Sequence, residues 1–461
     1  MTGRLRAGQI MLKAVLAALL GMGALAATQT SAAPLTLPLA VQIALENNPM
    51  RKAALADTHV AAAGIGEARS FLLPHITFSE TATRGNDPVY VFGTRLRQQR
   101  FSAADFSLSR LNTPTPLGNF ATHFGGAWTL FDSFASWHGV TRAQLGKQAS
   151  ERQLERTGQE IVFRTVEAYY GVLLAQKQLQ VAEQSCETAA SIVHRSQARF
   201  DSGLVVESDL LTAKVRMAAR QQELIRAKNN LSFGLAQLNS AMGTPLESAY
   251  QPLDALADRA LPIPPLPDLE IQALAKRSDL KRIESEESAQ KQSVAMAKSS
   301  FGPRVNAFAG WELDNPTLLA GGGGNNWLGG IEVQFDVFVG GAKRAQLQRE
   351  RALEEKVGAL KKAAGDGVRL EVRRAYYDAD ASRQQVEVAR AAITQAQESL
   401  RINQDRYDGG LTTITDLLGA EESARRSQTD YWEAVYHFHT SYASLELASG
   451  TLTPQSAVVL P

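Results

Sequence analysis

Few residues of this chain are spaced for chemistry. Seven histidines are scattered along it, and the one close pair, His437 and His439, sits two positions apart in a helical pattern. Two positions on a helix point to different faces, which makes them a poor metal pair. The four glycines 321–324 are followed by neither Lys-Ser/Thr nor a helix start, so they read as a flexible turn rather than a phosphate loop, and no GxxxxGK[ST] motif occurs elsewhere. Cys186 is the one cysteine, so no disulfide framework is expected. Carboxylates are plentiful, but none is isolated as an acid–base pair. These features predict a protein without catalytic residues, metal or cofactor. Two acids do stand out, Asp209 and Asp416, each six positions after a glycine and early in a helical segment. A carboxylate there can cap backbone N–H groups and complement the helix dipole, or present its charge to solvent.

The element that positions both acids is a duplication. The segment 199–211, RFDSGLVVESDLL, returns at 406–418 as RYDGGLTTITDLL, and Ala168-Tyr169-Tyr170 returns as Ala375-Tyr376-Tyr377. Both matches keep one offset, since 406 − 199 and 375 − 168 are each 207. A gapless offset over such a stretch marks a repeated structural unit.

Lys plus Arg number 48 and Asp plus Glu 47, so no electrostatic pull toward nucleic acid exists and no nucleic-acid partner is expected. Arg4, Arg6 and Lys13 precede an apolar run at 14–27 and small residues at 24–26 and 31–33. This is the pattern of a secretory signal peptide over 1–33, with the mature chain starting between 27 and 35. A short membrane anchor competes with that reading, but the run is shorter than the ~20 apolar residues a spanning helix needs. No cysteine lies near the cleavage region, so a chain without an N-terminal lipid anchor is expected. No later stretch is apolar for long enough to span a membrane as a helix. Residence in a membrane then requires a barrel.

Helical and strand periodicities alternate in each half. Apolar positions such as Ile161, Val166, Tyr169 and Leu173 recur every three or four residues, which predicts a helical hairpin at about 139–243 and its copy at about 342–449. About sixty residues at ~1.5 Å each make a rod of roughly 90 Å, far longer than a globular helix. Ahead of each hairpin lie period-two segments, with strands expected at about 74–84, 122–132, 303–313 and 327–337. Val305, Ala307, Ala309, Trp311 and Leu313 alternate with Asn306, Phe308, Gly310 and Glu312, and Ile331, Val333, Phe335 and Val337 with Glu332, Gln334 and Asp336, giving one apolar and one largely polar face. Length and alternation suit membrane-spanning hairpins. They suit a half-buried soluble sheet equally.

The fold class is α+β and mostly helical. It comprises a first repeat at 34–250, a Pro-rich linker at 251–268, a second repeat at 269–450 and a tail at 451–461. Shorter helices at 40–47 and 269–277 open the two halves. Irregular connections at 84–121 and 314–326 join the strands and are expected on the cell exterior.

These elements together resemble the TolC family of outer-membrane efflux channels, over nearly the whole mature chain and most specifically in the tip motifs GLVVESDLL and GLTTITDLL. The resemblance implies a homotrimer in which each protomer gives four strands to a 12-stranded barrel in outer-membrane lipid, continued by a long α-helical barrel across the periplasm. It implies two partners, a periplasmic membrane-fusion adaptor and an inner-membrane pump of the RND, ABC or MFS type. By the same resemblance Gly203, Leu204, Val205, Gly410, Leu411 and Thr412 form adaptor-facing tips, arranged as a pseudo-sixfold ring. Ser208, Asp209, Tyr407 and Asp416 match the periplasmic gate, where three copies of Asp416 would form a negative constriction.

This sequence also departs from the family's best-known member. A basic residue two positions after the second-copy glycine and an acid three after its Asp are here Thr412 and Gly419. A closed tip resting on hydrophobic and hydroxyl contacts is the expectation. The implied function is a passive exit duct for efflux or type I secretion, with drugs, metal ions, polysaccharide and protein all open as cargo. The alternative is a periplasmic adaptor or scaffold without a pore, which predicts one hairpin flanked by compact β-domains rather than two.

Overall fold

The computed structural model describes residues 33–318 and 324–460. The signal peptide expected at 1–33, Ala33 apart, and the centre of the second strand connection lie outside those residues. The first half runs β1 (Ala33–Leu35), α1 (Leu37–Asn47), α2 (Pro49–Ser70), β2 (His75–Gly85), α3 (Pro88–Arg97), a 3-10 turn (Ala103–Phe106), α4 (Leu108–Asn112), β3 (Leu117–Phe131), α5 (Ala135–Asp201) and α6 (Glu207–Met242). The second runs β4 (Tyr250–Pro252), α7 (Leu266–Lys276), α8 (Ser278–Ser299), β5 (Arg304–Asn315), β6 (Gly324–Gln334), α9 (Ala342–Asp408) and α10 (Ile414–Ser449).

Four helices of each half match in length, whereas α3 and α4 have no counterpart among the described residues of the second half. α5 and α9 are 67 residues each, α6 and α10 are 36, α2 and α8 are 22, and α1 and α7 are 11. Sixty-seven residues span ~100 Å. The first hairpin therefore starts at Ala135 rather than 139, and β3 and β6 start earlier than the 122 and 327 expected. α2 and α8 were not foreseen as separate helices. One extended residue divides each opening pair, Asn48 (φ −59, ψ 125) and Arg277 (φ −59, ψ 124). Asn48 precedes a proline, which disfavours helical geometry there, and Pro49 then starts α2. A break of one residue leaves the apolar periodicity almost undisturbed.

All four hairpin helices end on a glycine in the left-handed region: Gly203, Gly243, Gly410 and Gly450, at φ between +69 and +72. At the first tip Leu204 N–H donates to Arg199 O (2.8 Å) and Gly203 N–H to Phe200 O (2.9 Å). This pair of bonds satisfies the last carbonyls of α5 in a Schellman motif.

β2, β3, β5 and β6 form one antiparallel sheet in that order. α2, α5, α8 and α9 pack in the corresponding order, so each strand continues into the helix beneath it. Registry aligns an aromatic row across all four strands, Phe78, Phe124, Trp311 and Trp327. The Phe78 and Phe124 rings are 5.0 Å apart, and Phe124 and Trp311 5.8 Å. The opposite face carries the row Ser79, His123, Glu312 and Asn326. The aromatic row is solvent-exposed, and among the described residues no helix covers that face, whereas the end of α3 reaches the opposite one, where Arg97 meets Glu312 and Asn326. A half-buried soluble sheet would have one face packed on a core. Here an apolar face without protein cover, flanked by aromatics, is what lipid requires.

The main core lies midway along the helices, where α1, α5, α6 and α10 meet the linker and tail. The linker is not a free spacer. β4 pairs in parallel with β1, Leu256 and Leu261 are buried, and Tyr169 Oη donates to Leu35 O (2.9 Å) and to Asp254 Oδ2 (2.7 Å). The tail is likewise core, with Leu452, Val458 and Val459 buried. The repeated tyrosines diverge here, since Tyr169 and Tyr170 are buried whereas Tyr377 is exposed. The connection at 84–121 is a folded lobe rather than an irregular loop. Asp105 anchors it, accepting from Ser102 N–H (2.9 Å) and pairing with Arg95 and Arg110.

Candidate functional site at the hairpin tips

The two tips are built alike and finished differently. Leu204 and Leu411 follow the left-handed glycines and are exposed, as are Val206 and Gly409, while Val205 and Thr412 are partly covered. A Cβ on Gly203 would meet nothing within 4 Å, and one on Gly410 would meet Arg199 Nη2 at 3.5 Å.

Asp416 is engaged in a capping box. Asp416 N–H donates to Thr413 Oγ1 (3.2 Å), and Asp416 Oδ2 accepts from Thr413 Oγ1 (2.6 Å), Thr412 Oγ1 (3.0 Å) and Thr413 N–H (3.2 Å). The Thr413 hydroxyl first, then its backbone N–H and the Thr412 hydroxyl, hold this carboxyl below its ordinary range. In the first copy the cap position is Val206, which offers no side-chain oxygen. Asp209 and Ser208 make no side-chain hydrogen bond or ion pair with any described residue. Asp209 is thus the acid left free to meet solvent or a partner.

Tyr407 is 2% exposed, in a cluster with Ile192, Ala213, Ile414, Leu417 and Leu418 that draws α5, α6, α9 and α10 together. Its hydroxyl is 3.2 Å from Ser196 Oγ. The Arg199 guanidinium lies 5.0 Å from the Tyr407 ring centre and donates to Tyr407 O (2.6 Å) and Asp408 O (3.1 Å). These are last-turn carbonyls of α9, which need partners and attract cations. Arg195 Nη1 adds an ion pair with Asp408 at 3.1 Å. The hydrophobic and hydroxyl contacts are therefore present, but so are charged ones. The cations at this tip are Arg195 and Arg199 on the facing helix, with Thr412 standing in the second copy.

Further up, Arg220 of α6 is 1% exposed and bonds Glu421 Nη2–Oε2 at 2.8 Å, Glu223 at 2.9 Å, and Glu422. Burial opposes its charge, and the three carboxylates more than offset that, raising its pKa. Glu422 is pushed down to about 2, first by its bond from Arg425. Sequence reasoning missed this cluster, although the repeat signals it: at the 207 offset Arg220 faces Ser427 and Glu421 faces Lys214. At this cluster the matched positions change charge where the copies touch each other.

A family model described as outer membrane efflux protein matches residues 40–244 and 270–451, both halves of the duplication. The chain belongs to that family. Among curated relatives of this efflux protein, the alkaline protease secretion protein AprF of Pseudomonas aeruginosa is 24% identical over 89% of this chain and 83% of its own. The outer membrane protein TolC of Escherichia coli is 23% identical over 97% and 89%. The crystal structure of the Campylobacter jejuni CmeC outer membrane channel superposes with a TM-score of 0.77 at 20% identity, covering 92% of this chain and 87% of that one. This efflux protein is an outer-membrane channel extending into the periplasm.

Proposed function

We propose that the chain is one protomer of a passive homotrimeric exit duct for efflux or type I secretion. The observation that carries this is the sheet. Four strands with an uncovered aromatic face and unpaired edges at β2 and β6 continue into four helices in the same order. Exposed edge hydrogen-bonding groups cannot remain open in lipid. Three copies joined β6 to β2 close a 12-stranded barrel, and the same operation closes the helices into a tunnel. The pore-less adaptor reading has no use for such a sheet.

On this reading the exposed apolar tips at Gly203, Leu204 and Val205 and at Gly410, Leu411 and Thr412 receive a membrane-fusion adaptor. An inner-membrane pump of the RND, ABC or MFS type supplies the energy. Tyr407, with Arg195, Arg199 and Ser196, latches the second hairpin to the first. Asp416 holds the turn of the second tip, and Asp209 with Ser208 offers the free polar surface at the mouth.

Purified full-length protein should run as a heat-modifiable trimer and conduct ions in a planar bilayer. A monomer without conductance overturns the duct. For docking, Gly203→Trp or Gly410→Trp should abolish export while the trimer still assembles; loss of the trimer would assign these glycines to folding.

A further inference from the structure

Where strands become helices, a cavity of about 370 Å³ is enclosed by the ends of β5 and β6, the C-terminus of α8 and the first turns of α5 and α9. By strand alternation Arg304, Gln334 and Asp336 lie on the face opposite Val305, Val333 and Phe335. On the channel reading this is the conduit side. Four cations line the cavity: Arg142, Arg304, Lys343 and Arg349.

The three acids present are already held. Asp132 Oδ2 accepts from Ser136 N–H (2.8 Å) and Oγ (2.5 Å). Asp336 pairs with Lys343 (3.2 Å) and accepts from Gln334 (3.2 Å), and Glu350 accepts from Gln290 (2.9 Å) and Arg349 (2.7 Å). Arg142 and Arg304 have neither hydrogen bond nor contact ion pair with any described residue. Beside them α9 begins at Gly341 without a side-chain cap, whereas Asp132 supplies that cap to α5. At the 207 offset the counterpart of Asp132 is Val339. Two guanidinium forks without a hydrogen bond, Arg142 within the field of Glu350 and Arg304 within that of Asp336, near an uncapped helix start offer what an oxyanion needs.

We propose that this cavity binds an oxyanion, a carboxylate or phosphate group, through Arg142 and Arg304 on the conduit wall where barrel meets tunnel. Its placement on the wall rests on the duct reading; its chemistry does not. The group is carried by anionic cargo passing through the conduit.

Full-length protein in phosphatidylcholine bilayers should lose single-channel current to added inorganic phosphate. Arg142→Gln with Arg304→Gln should weaken that block about tenfold. Both side chains are exposed in the protomer, so the fold is not at risk. A variant blocked as strongly as the wild type overturns the site, and so does a conducting wild type that phosphate leaves unblocked. Absence of wild-type conductance would overturn the duct instead, and calorimetric titration of the detergent-solubilised protein with phosphate then decides the cavity.

Discussion

Arg220 Nη2 stands 2.8 Å from Glu421 Oε2, and this bond ties the first hairpin to the second through two side chains that are almost wholly buried. Removing one partner of a buried pair leaves the other charge without compensation, which costs about 3–5 kcal/mol, whereas apolar replacement of both is often near neutral. Arg220→Ala should therefore lower the thermal midpoint followed by circular dichroism by several degrees. Arg220→Met with Glu421→Leu should recover most of it. Equal melting of the single variant and wild type would show that the pair contributes no stability.

In the proposed latch at the tip, Arg199 and Arg195 make the charged contacts and the Tyr407 hydroxyl the neutral one. A hydrogen bond to a charged group contributes more than a neutral one, about 1.5–3 against ~1 kcal/mol. Replacing both arginines by Ala should raise bilayer conductance severalfold, and Tyr407→Phe by a smaller factor. If the double arginine variant conducts like wild type, these contacts do not close the mouth.

The two junctions that lead from the sheet into the 67-residue helices each use two consecutive left-handed residues. The second copy uses Gly340 (φ +63) and Gly341 (φ +82), and the first uses Ser133 (φ +56) and Phe134 (φ +70) at the matching positions. Left-handed geometry costs a non-glycine residue roughly 1–2 kcal/mol. Gly340→Ala and Gly341→Ala should each destabilise the protein by about that much. Gly358→Ala in the α9 interior, where a Cβ meets nothing within 4 Å, should instead stabilise it by ~0.5–1 kcal/mol. Denaturant melts in which all three variants move the same way would contradict this.

Burial pushes Glu446 up to about 7, against an opposing bond from Ser456, and Glu446 Oε2 is buried without a hydrogen-bond partner. The folded state therefore holds this proton more tightly than the unfolded chain does. Stability falls as pH rises from about 4.5 to about 7 and stays lowered above it. The first copy has Asn239 at this position, donating to Leu246 O and Ser248 O at 2.9 Å each. Glu446→Gln should gain on the order of 2 kcal/mol at pH 8 and almost nothing at pH 4. A gain independent of pH would point to packing rather than ionisation.

By itself the sequence determined the duplication, the long hairpins, the four alternating strands and the glycine turns at the tips. Each of these is a local pattern repeated at one offset, and local patterns survive without knowledge of what packs where. The opening helix pairs were less legible, because a single extended residue such as Asn48 divides them without breaking the apolar period.

The tertiary structure decided which of two equivalent residues does which work. Asp209 and Asp416 look alike in sequence, yet Thr413 engages one and Val206 leaves the other free. Arg199 and Arg406 likewise share a motif, but Arg199 crosses to the α9 carbonyls while Arg406 Nη2 donates within its own turn to Leu411 O at 3.4 Å. The Pro-rich linker and the short tail, which carry no helical or strand period, became core through contacts hundreds of positions away. Repetition fixes what each copy can form, and the contacts between copies, which periodicity does not encode, fix where they differ.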